Sequence, residues 1–286
     1  MTRPCPGPRA VTSRPNWQPP ANSTDCHCHI FGPYDRYPLS PGRSYTPPEA
    51  SISQYLEMLD TIGIRRTVIV QPSIYGTENA VTLDAVEAIG PDRARAVVVV
   101  DDGFDADALN AMAERGACGV RFNAVSGNGT PLEQLERLAD RLAPLGWHLQ
   151  LYTHAEQLLE LEPVVARLPV PVVIDHMGGC KAAEGVESTP FQALLRLLER
   201  GAWAKLCGYR SSAGHPYADV APMARAMIAA APDRCVWGTD WPHPSLNTPE
   251  EVPDDGQLMS LLGQWAPGAG QRRAILVDNP ARLYGF

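Results

Sequence analysis

No stretch of this 286-residue chain reaches the roughly 18 consecutive apolar residues of a membrane-spanning helix. Residues 1–23 carry several Pro and Arg and no apolar core of a signal peptide, so they are expected to form a loose Pro-rich N-terminal arm. A disulfide framework is missing as well. The seven cysteines, at 5, 26, 28, 118, 180, 207 and 235, are odd in number, contain no CxxC pair and follow no regular spacing. Most stand in apolar runs, where a free thiol behaves as a small hydrophobe. A reducing, cytoplasmic setting is the simpler expectation. Positive charge is in deficit: 24 Lys and Arg against 32 Asp and Glu give a net charge of −8. A nucleic-acid partner is not expected on that balance, and neither is a membrane. A small anionic substrate remains open, because a few local arginines can overrule the global sign.

What is present is an ordinary globular composition, 44% hydrophobic and 20% charged. A chain of this length buries roughly 75% of its unfolded surface and needs no staples. Short β-rich runs alternate with amphipathic segments. The expected strands are 24–31, 66–71, 95–101, 118–123, 148–153, 170–176, 202–207 and 235–241. Continuous apolar runs such as Val97–Val100 suit strands covered on both faces, as in a parallel sheet. Helical patterns cover 49–62, 79–89, 105–116, 131–145, 155–167, 190–200, 218–231 and 254–265, and a ninth near 270–278 ends at Asn279–Pro280. Asp105 and Thr130 read as N-caps, and Gly90, Gly116 and Gly146 as stops. Eight βα units predict an α/β fold of the (β/α)8 TIM-barrel type, one domain over residues 24–286. A doubly wound sheet is the competitor, but no glycine-rich phosphate loop follows the first strand, and no linker or repeat divides the chain.

Such a barrel does its chemistry at the C-terminal ends of its strands. Chemically capable residues collect there: His27 and His29, Arg121 and Asn123, Tyr152 and His154, His176, Arg210, Asp240 and His243. In Asp25-Cys26-His27-Cys28-His29, strand alternation puts His27 and His29 on one face and both cysteines on the other, packed outward against helices. His148 reads as a core residue. Arg121 sits in the apolar run Gly119-Val120-Arg121-Phe122-Asn123, where an unpaired charge would be expensive. It either meets a structural carboxylate or awaits an anionic substrate group. Arg210, in a loop, has the alternative of simple solvation, and His154 and His243 that of supporting the site without touching ligand.

Three segments, Asp25-Cys26-His27-Cys28-His29, Asp175-His176-Met177-Gly178 and Gly238-Thr239-Asp240-Trp241-Pro242-His243, resemble the amidohydrolase superfamily. More narrowly they resemble its branch of 2-pyrone-4,6-dicarboxylate lactonase and related sugar-lactone hydrolases and isomerases. His29–Pro33, Tyr45–Pro47, Val70–Gly76, Val120–Asn123 and Val277–Pro280 extend the likeness, which runs from about residue 24 to the C-terminus. The resemblance implies that His27, His29 and His176 polarise a lactone carbonyl and that Asp240 activates water. It implies that Arg121 and Arg210 hold substrate carboxylates, with Tyr45, Ser73, Tyr75, Asn79, Tyr152, His154 and His243 as further contacts. Two departures stand out. The lactonase carries an arginine after its strand-six histidine where this chain has Gly178-Gly179-Cys180-Lys181, and an acidic residue where this chain has His154.

The resemblance leaves the metal open. His27, His29, His176 and Asp240 are a plausible mononuclear zinc set, with His154 in addition. Many superfamily members use such a metal, whereas the pyrone lactonase works without one. A binuclear site is not expected, since Arg121 occupies the region of the bridging ligand. The leading expectation is hydrolysis of a carboxylated lactone from aromatic or sugar-acid breakdown. Lactone isomerisation is the runner-up, followed by metal-dependent decarboxylation and a barrel that only binds.

Overall fold

The computed structural model describes residues 2–11 and 13–286. Eight parallel strands form the barrel: β1 Thr24–Cys28, β2 Arg66–Val70, β3 Ala94–Val98, β4 Ala117–Asn123, β5 His148–Tyr152, β6 Val172–Ile174, β7 Trp203–Leu206 and β8 Cys235–Trp237. Each pairs with its sequence neighbour along the sheet. The helices between them are α1 Ile52–Ile62, α2 Ala80–Ile89, α3 Ala106–Glu114, α4 Leu135–Leu142, α5 Leu158–Val165, α6 Thr189–Glu199, α7 Ala221–Ala230 and α8 Asp255–Trp265. The seam between β8 and β1 is closed just past the ladder, where Asp240 N donates to His27 O at 2.8 Å and His29 N to Trp241 O at 2.7 Å. Among the described residues, no helix is long and apolar enough to cross a membrane.

Most strands end earlier than the apolar runs suggest, because the last residues of each run turn into the loops that carry the polar side chains. Asp105 caps α3 through Ala108 N at 2.8 Å, as expected. Thr130 does not cap: its hydroxyl donates to the Val100 carbonyl at 2.7 Å, and a 3-10 turn over Leu132–Gln134 intervenes before α4. The chain also does not leave the helical path at Asn279–Pro280. A wide π turn over Ala274–Asp278 is followed directly by a further helix, Asn279–Tyr284, with Pro280 in its first turn.

Two apolar layers result. The larger lies between strands and helices, and the smaller fills the barrel interior with Cys26, Val68, Val70, Val97, Val173, Trp203, Val236 and Tyr284. Cys26 therefore departs from the expected outward packing, while Cys28 faces outward against Thr67. The cause is a β-bulge. Asp25 pairs with Thr67 but Cys28 with Ile69, so β1 spends three steps against two of β2. Strict alternation fails at that point, and Cys26 and His27 both face the interior.

The N-terminal arm, expected to be loose, lies docked against the barrel. Arg3–Pro4 pairs in parallel with Tyr45–Thr46, Cys5 is buried, and Trp17 Nε1 donates to the Met259 carbonyl of α8 at 3.1 Å.

Candidate active site

The loops beyond the strand ends enclose a cavity of about 380 Å³, within the ordinary range for small-ligand sites. His29, His176 and Asp240 reach it from the loops after β1, β6 and β8, joined by Arg121, Asn123 and Tyr152 of β4 and β5. Arg3, Arg210, Tyr45 and Ser73 add to the polar wall, and His27 lies directly beneath. The backbone at His176 and Asp240 has φ of 46° and 63°. Such left-handed conformations in residues with side chains cost about 1–3 kcal/mol each and concentrate where function demands a particular aim.

Asp240 is the centre. Its Oδ2 accepts from Tyr209 Oη at 2.6 Å and from Arg210 Nε, which spends one carboxylate oxygen on fixed donors. Its Oδ1 has no hydrogen-bond partner among the described residues and faces three imidazole nitrogens: Nε2 of His29 at 3.3 Å, of His27 at 3.4 Å and of His176 at 3.9 Å. Burial alone would raise this carboxyl, but Arg210 and the imidazoles hold it well below the usual range. The group is a carboxylate with one lone pair presented to the cavity.

Asp25 does not reach the cavity. It ties the seam by accepting from Thr239 N at 2.9 Å, Thr239 Oγ1 at 2.6 Å, Tyr55 Oη at 2.8 Å and His27 N at 3.1 Å. It thereby fixes the residues beside His27 and Asp240 with one side chain.

Beneath the cavity lies a buried charge network. Lys205 Nζ donates to Gln150 Oε1 at 2.6 Å and lies 3.2 Å from His27 Nδ1 and 3.4 Å from Asp175 Oδ1. Arg121 Nε is 3.3 Å from Asp175 Oδ2. Burial pushes Asp175 up, yet Lys205 and His27 outweigh it and keep the carboxyl well below its ordinary value. Lys205 is a site residue that the motifs do not reveal. Its one signal is a charge inside the apolar run Ala202-Trp203-Ala204-Lys205-Leu206-Cys207.

The tautomers follow from these partners. His29 Nδ1 lies 2.7 Å from the Val70 carbonyl, which can only accept, so the neutral ring presents a lone pair at Nε2. An ammonium can only donate, so the Lys205 contact places the His27 proton on Nε2, and His27 enters the site as a donor. Asp175 Oδ1, at 3.5 Å from the same Nδ1, would favour the opposite tautomer. A divalent cation needs imidazole lone pairs backed by acceptors. His29 meets that condition, and His27, His176 and Asp240 place ligand atoms within 4.8 Å of one another. The donor set thus fits one cation when Nδ1 of His27 turns its proton to Asp175, and such a cation would supply an acidified water and carbonyl polarisation.

The remaining expected contacts divide. Tyr45, Ser73, Tyr152, Arg121 and Arg210 line the cavity. His243 is buried behind it, with Nε2 3.1 Å from Asp255 Oδ1 and its ring edge against Tyr209, so it steadies a donor to Asp240. Asn79 is consumed by backbone: its amide donates to Thr77 O and Val99 O and accepts from Val99 N. Tyr75 Oη accepts from Gly32 N at 2.8 Å and lines a neighbouring cavity instead. His154 is exposed at the start of the turn before α5. In these three cases the loop geometry after the strand, which no motif encodes, turns the side chain away.

Burial holds His148 and His176 near 3, below their ordinary 6.5. Groups that stay neutral in the fold but protonate in the unfolded chain stabilise fully above pH 6.5, and that contribution disappears as pH falls toward 3. Burial lowers His27 and His29 as well, so Asp25, raised by burial from 3.8 to about 6 and acting in the opposite sense, is one group against four. The melting temperature is therefore expected to hold nearly level above pH 6.5 and to fall from there to pH 4.5 in thermal scans. A flat profile would mean that these imidazoles are charged in the folded protein.

A closed parallel barrel with imidazoles and a carboxylate converging at its C-terminal mouth is the site of a barrel enzyme. The chain belongs to the amidohydrolase family, which it matches over residues 24–286. It is 39% identical to a 2-pyrone-4,6-dicarboxylate hydrolase of Comamonas testosteroni, over 96% of this chain and 94% of that one. It is likewise 39% identical to a 4-sulfomuconolactone hydrolase of Hydrogenophaga intermedia, over 98% and 94%. A D-galactarolactone isomerase of Agrobacterium fabrum is 32% identical over 94% and 93%. Among solved structures, an apo protein of Agrobacterium tumefaciens superposes with a TM-score of 0.86 at 31% identity, over 95% of this chain and 98% of that one. The chain is thus an enzyme of that family, and two of these relatives act on lactones.

Proposed function

We propose that this enzyme hydrolyses a lactone bearing at least one further anionic group. The observation that carries this reading is the Oδ1 of Asp240, without a hydrogen-bond partner among the described residues and ringed by three imidazoles. Asp240 Oδ1 takes a proton from water while the water oxygen bonds to the ring carbonyl carbon. The His29 Nε2 lone pair accepts the second hydrogen of that water and so aims it. The carbonyl oxygen gathers charge against the Nε2–H of His27 and beside His176, in a dry site where donors count for more than in water. Collapse breaks the ring C–O bond, and the departing oxygen takes back the proton held by Asp240. The new carboxyl group ionises at neutral pH and releases one proton.

Anion selection is supported by local charge. Around and beneath the cavity stand Arg3, Arg121, Arg210 and Lys205 against the carboxylates Asp175 and Asp240. This is a cationic basin in a chain of net charge −8. Arg210 links binding to chemistry: a substrate carboxylate that shares its guanidinium relaxes its hold on Asp240 and returns basicity to that group.

The test is a pH-indicator assay over pyrone dicarboxylates, muconolactones and sugar-acid lactones, each with and without a chelator. Proton release from a carboxylated ring is expected. A silent panel whose products nonetheless show a migrated acyl group by NMR would replace hydrolysis with isomerisation. Loss of turnover on chelation, restored by zinc, would bring a cation into the reaction, with His27, His29, His176 and Asp240 as its candidate ligands.

A further inference from the structure

We infer that the N-terminal arm is a working part of the pocket, delivering Arg3 to its rim as the anchor for an anionic group remote from the reacting ring ester. The inference rests on the lactone reading for its substrate class but stands on separate observations.

The first is that the arm has a built seat. Parallel pairing of Arg3–Pro4 with Tyr45–Thr46 sets Arg3 opposite Tyr45, whose side chain lines the cavity. Further along, Ser13 Oγ donates to Asp254 Oδ1 at 2.6 Å, and Trp17 is held on α8 with Arg272 over its ring. The facing helix carries glycines at 256 and 263, seven residues apart and so on one face. A glycine inside a helix costs about 0.5–1 kcal/mol relative to alanine. Here a Cβ at Gly256 would stand 2.0 Å from the Ser13 carbonyl oxygen, and one at Gly263 would stand 2.6 Å from Trp17 Nε1. Both glycines are explained by the close approach of the arm.

The second observation concerns charge. Of the three arginines that line the cavity, Arg121 is paired with Asp175 and Arg210 with Asp240. Arg3 meets two neutral acceptors, the Asn247 side-chain oxygen and the Ser245 carbonyl, the latter at 2.6 Å. Among the described residues no carboxylate pairs with it. Two neutral oxygens orient the guanidinium without cancelling its charge, which leaves its remaining donors for a carboxylate or a sulfonate.

Calorimetric titration of the full-length enzyme with isophthalate, a dianion with no ester to cleave, and with benzoate tests this without turnover. Wild type is expected to bind isophthalate at least tenfold tighter than benzoate. Arg3→Gln should lose most of that preference, roughly 10- to 50-fold in the isophthalate Kd, with the benzoate Kd unchanged, and Arg3→Lys should recover part of it. Gly263→Leu, which alters no group lining the cavity, should repeat the Arg3→Gln result by unseating Trp17 and the arm. A wild type without the preference, an Arg3→Gln enzyme that keeps it, or equal loss for both ligands would overturn the proposal. A silent lactone panel together with an Arg3-dependent isophthalate preference would discard the hydrolase reading and leave the anion anchor standing.

Discussion

Asp240→Asn is expected to lower kcat on the cleaved lactone by about 10³- to 10⁴-fold while leaving the fold and the substrate Kd nearly unchanged. General-base removal alone accounts for about 10²- to 10⁴-fold. The upper part of that range is expected because the proton that Asp240 takes from water is also the one it must return to the leaving oxygen. Asparagine preserves the shape and can still accept from Tyr209 or Arg210 through its side-chain oxygen, so the cavity keeps its walls. Two readouts check this. Single-turnover kinetics should show the chemical step slowed, and a thermal scan should place the variant close to wild type. An Asn variant within tenfold of wild-type kcat would remove Asp240 from the base role and shift it to His29, whose Nε2 lone pair is the neighbouring candidate.

The second large effect is expected at Lys205. Lys205→Met deletes a fully buried cation that faces Asp175, His27 and Gln150 at once. Asp175 would retain Arg121 at 3.3 Å and the Gln150 amide at 2.9 Å, but it would lose the ammonium that contributes most to keeping it ionised. Breaking a buried pair from one side costs about 3–5 kcal/mol, because the surviving charge stays buried. In a chain of this size that corresponds to a fall of roughly 10 °C in Tm. Removing both charges with Lys205→Met/Asp175→Asn should recover part of the loss, and the double-mutant cycle from denaturant unfolding measures the coupling. Additive losses would show that the two groups do not act as a pair. The single variant should also lose activity beyond what its stability explains, since nothing then fixes the proton of His27 on Nε2.

How far the sequence reaches depends on the range of the interaction that decides each feature. The alternation of β-branched runs with amphipathic segments is local and periodic, and it predicts all eight strands and their order in a closed barrel. Residues at strand ends inherit their position from that order, which is why His29, His176, Asp240, Arg121, Tyr152 and Arg210 can be placed at one mouth before any coordinates exist. Where the period breaks, the prediction breaks with it. The bulge between Asp25 and Cys28 turns Cys26 inward, because register is set by pairing with β2 and not by β1 alone.

Asn79, Tyr75 and His154 stand in loops whose course depends on backbone partners far along the chain, such as Val99 for Asn79. Lys205 acquires its meaning from Asp175, Gln150 and His27 on three other strands or loops. Arg3 belongs to an arm that crosses α8 closely at Gly256 and Gly263, more than 240 residues away in sequence. Periodicity and strand-end chemistry are short-range properties written along the chain. Register, tautomer and the pairing of buried charge arise between distant segments, and they exist once the barrel has closed and water has been excluded from the groups that meet there.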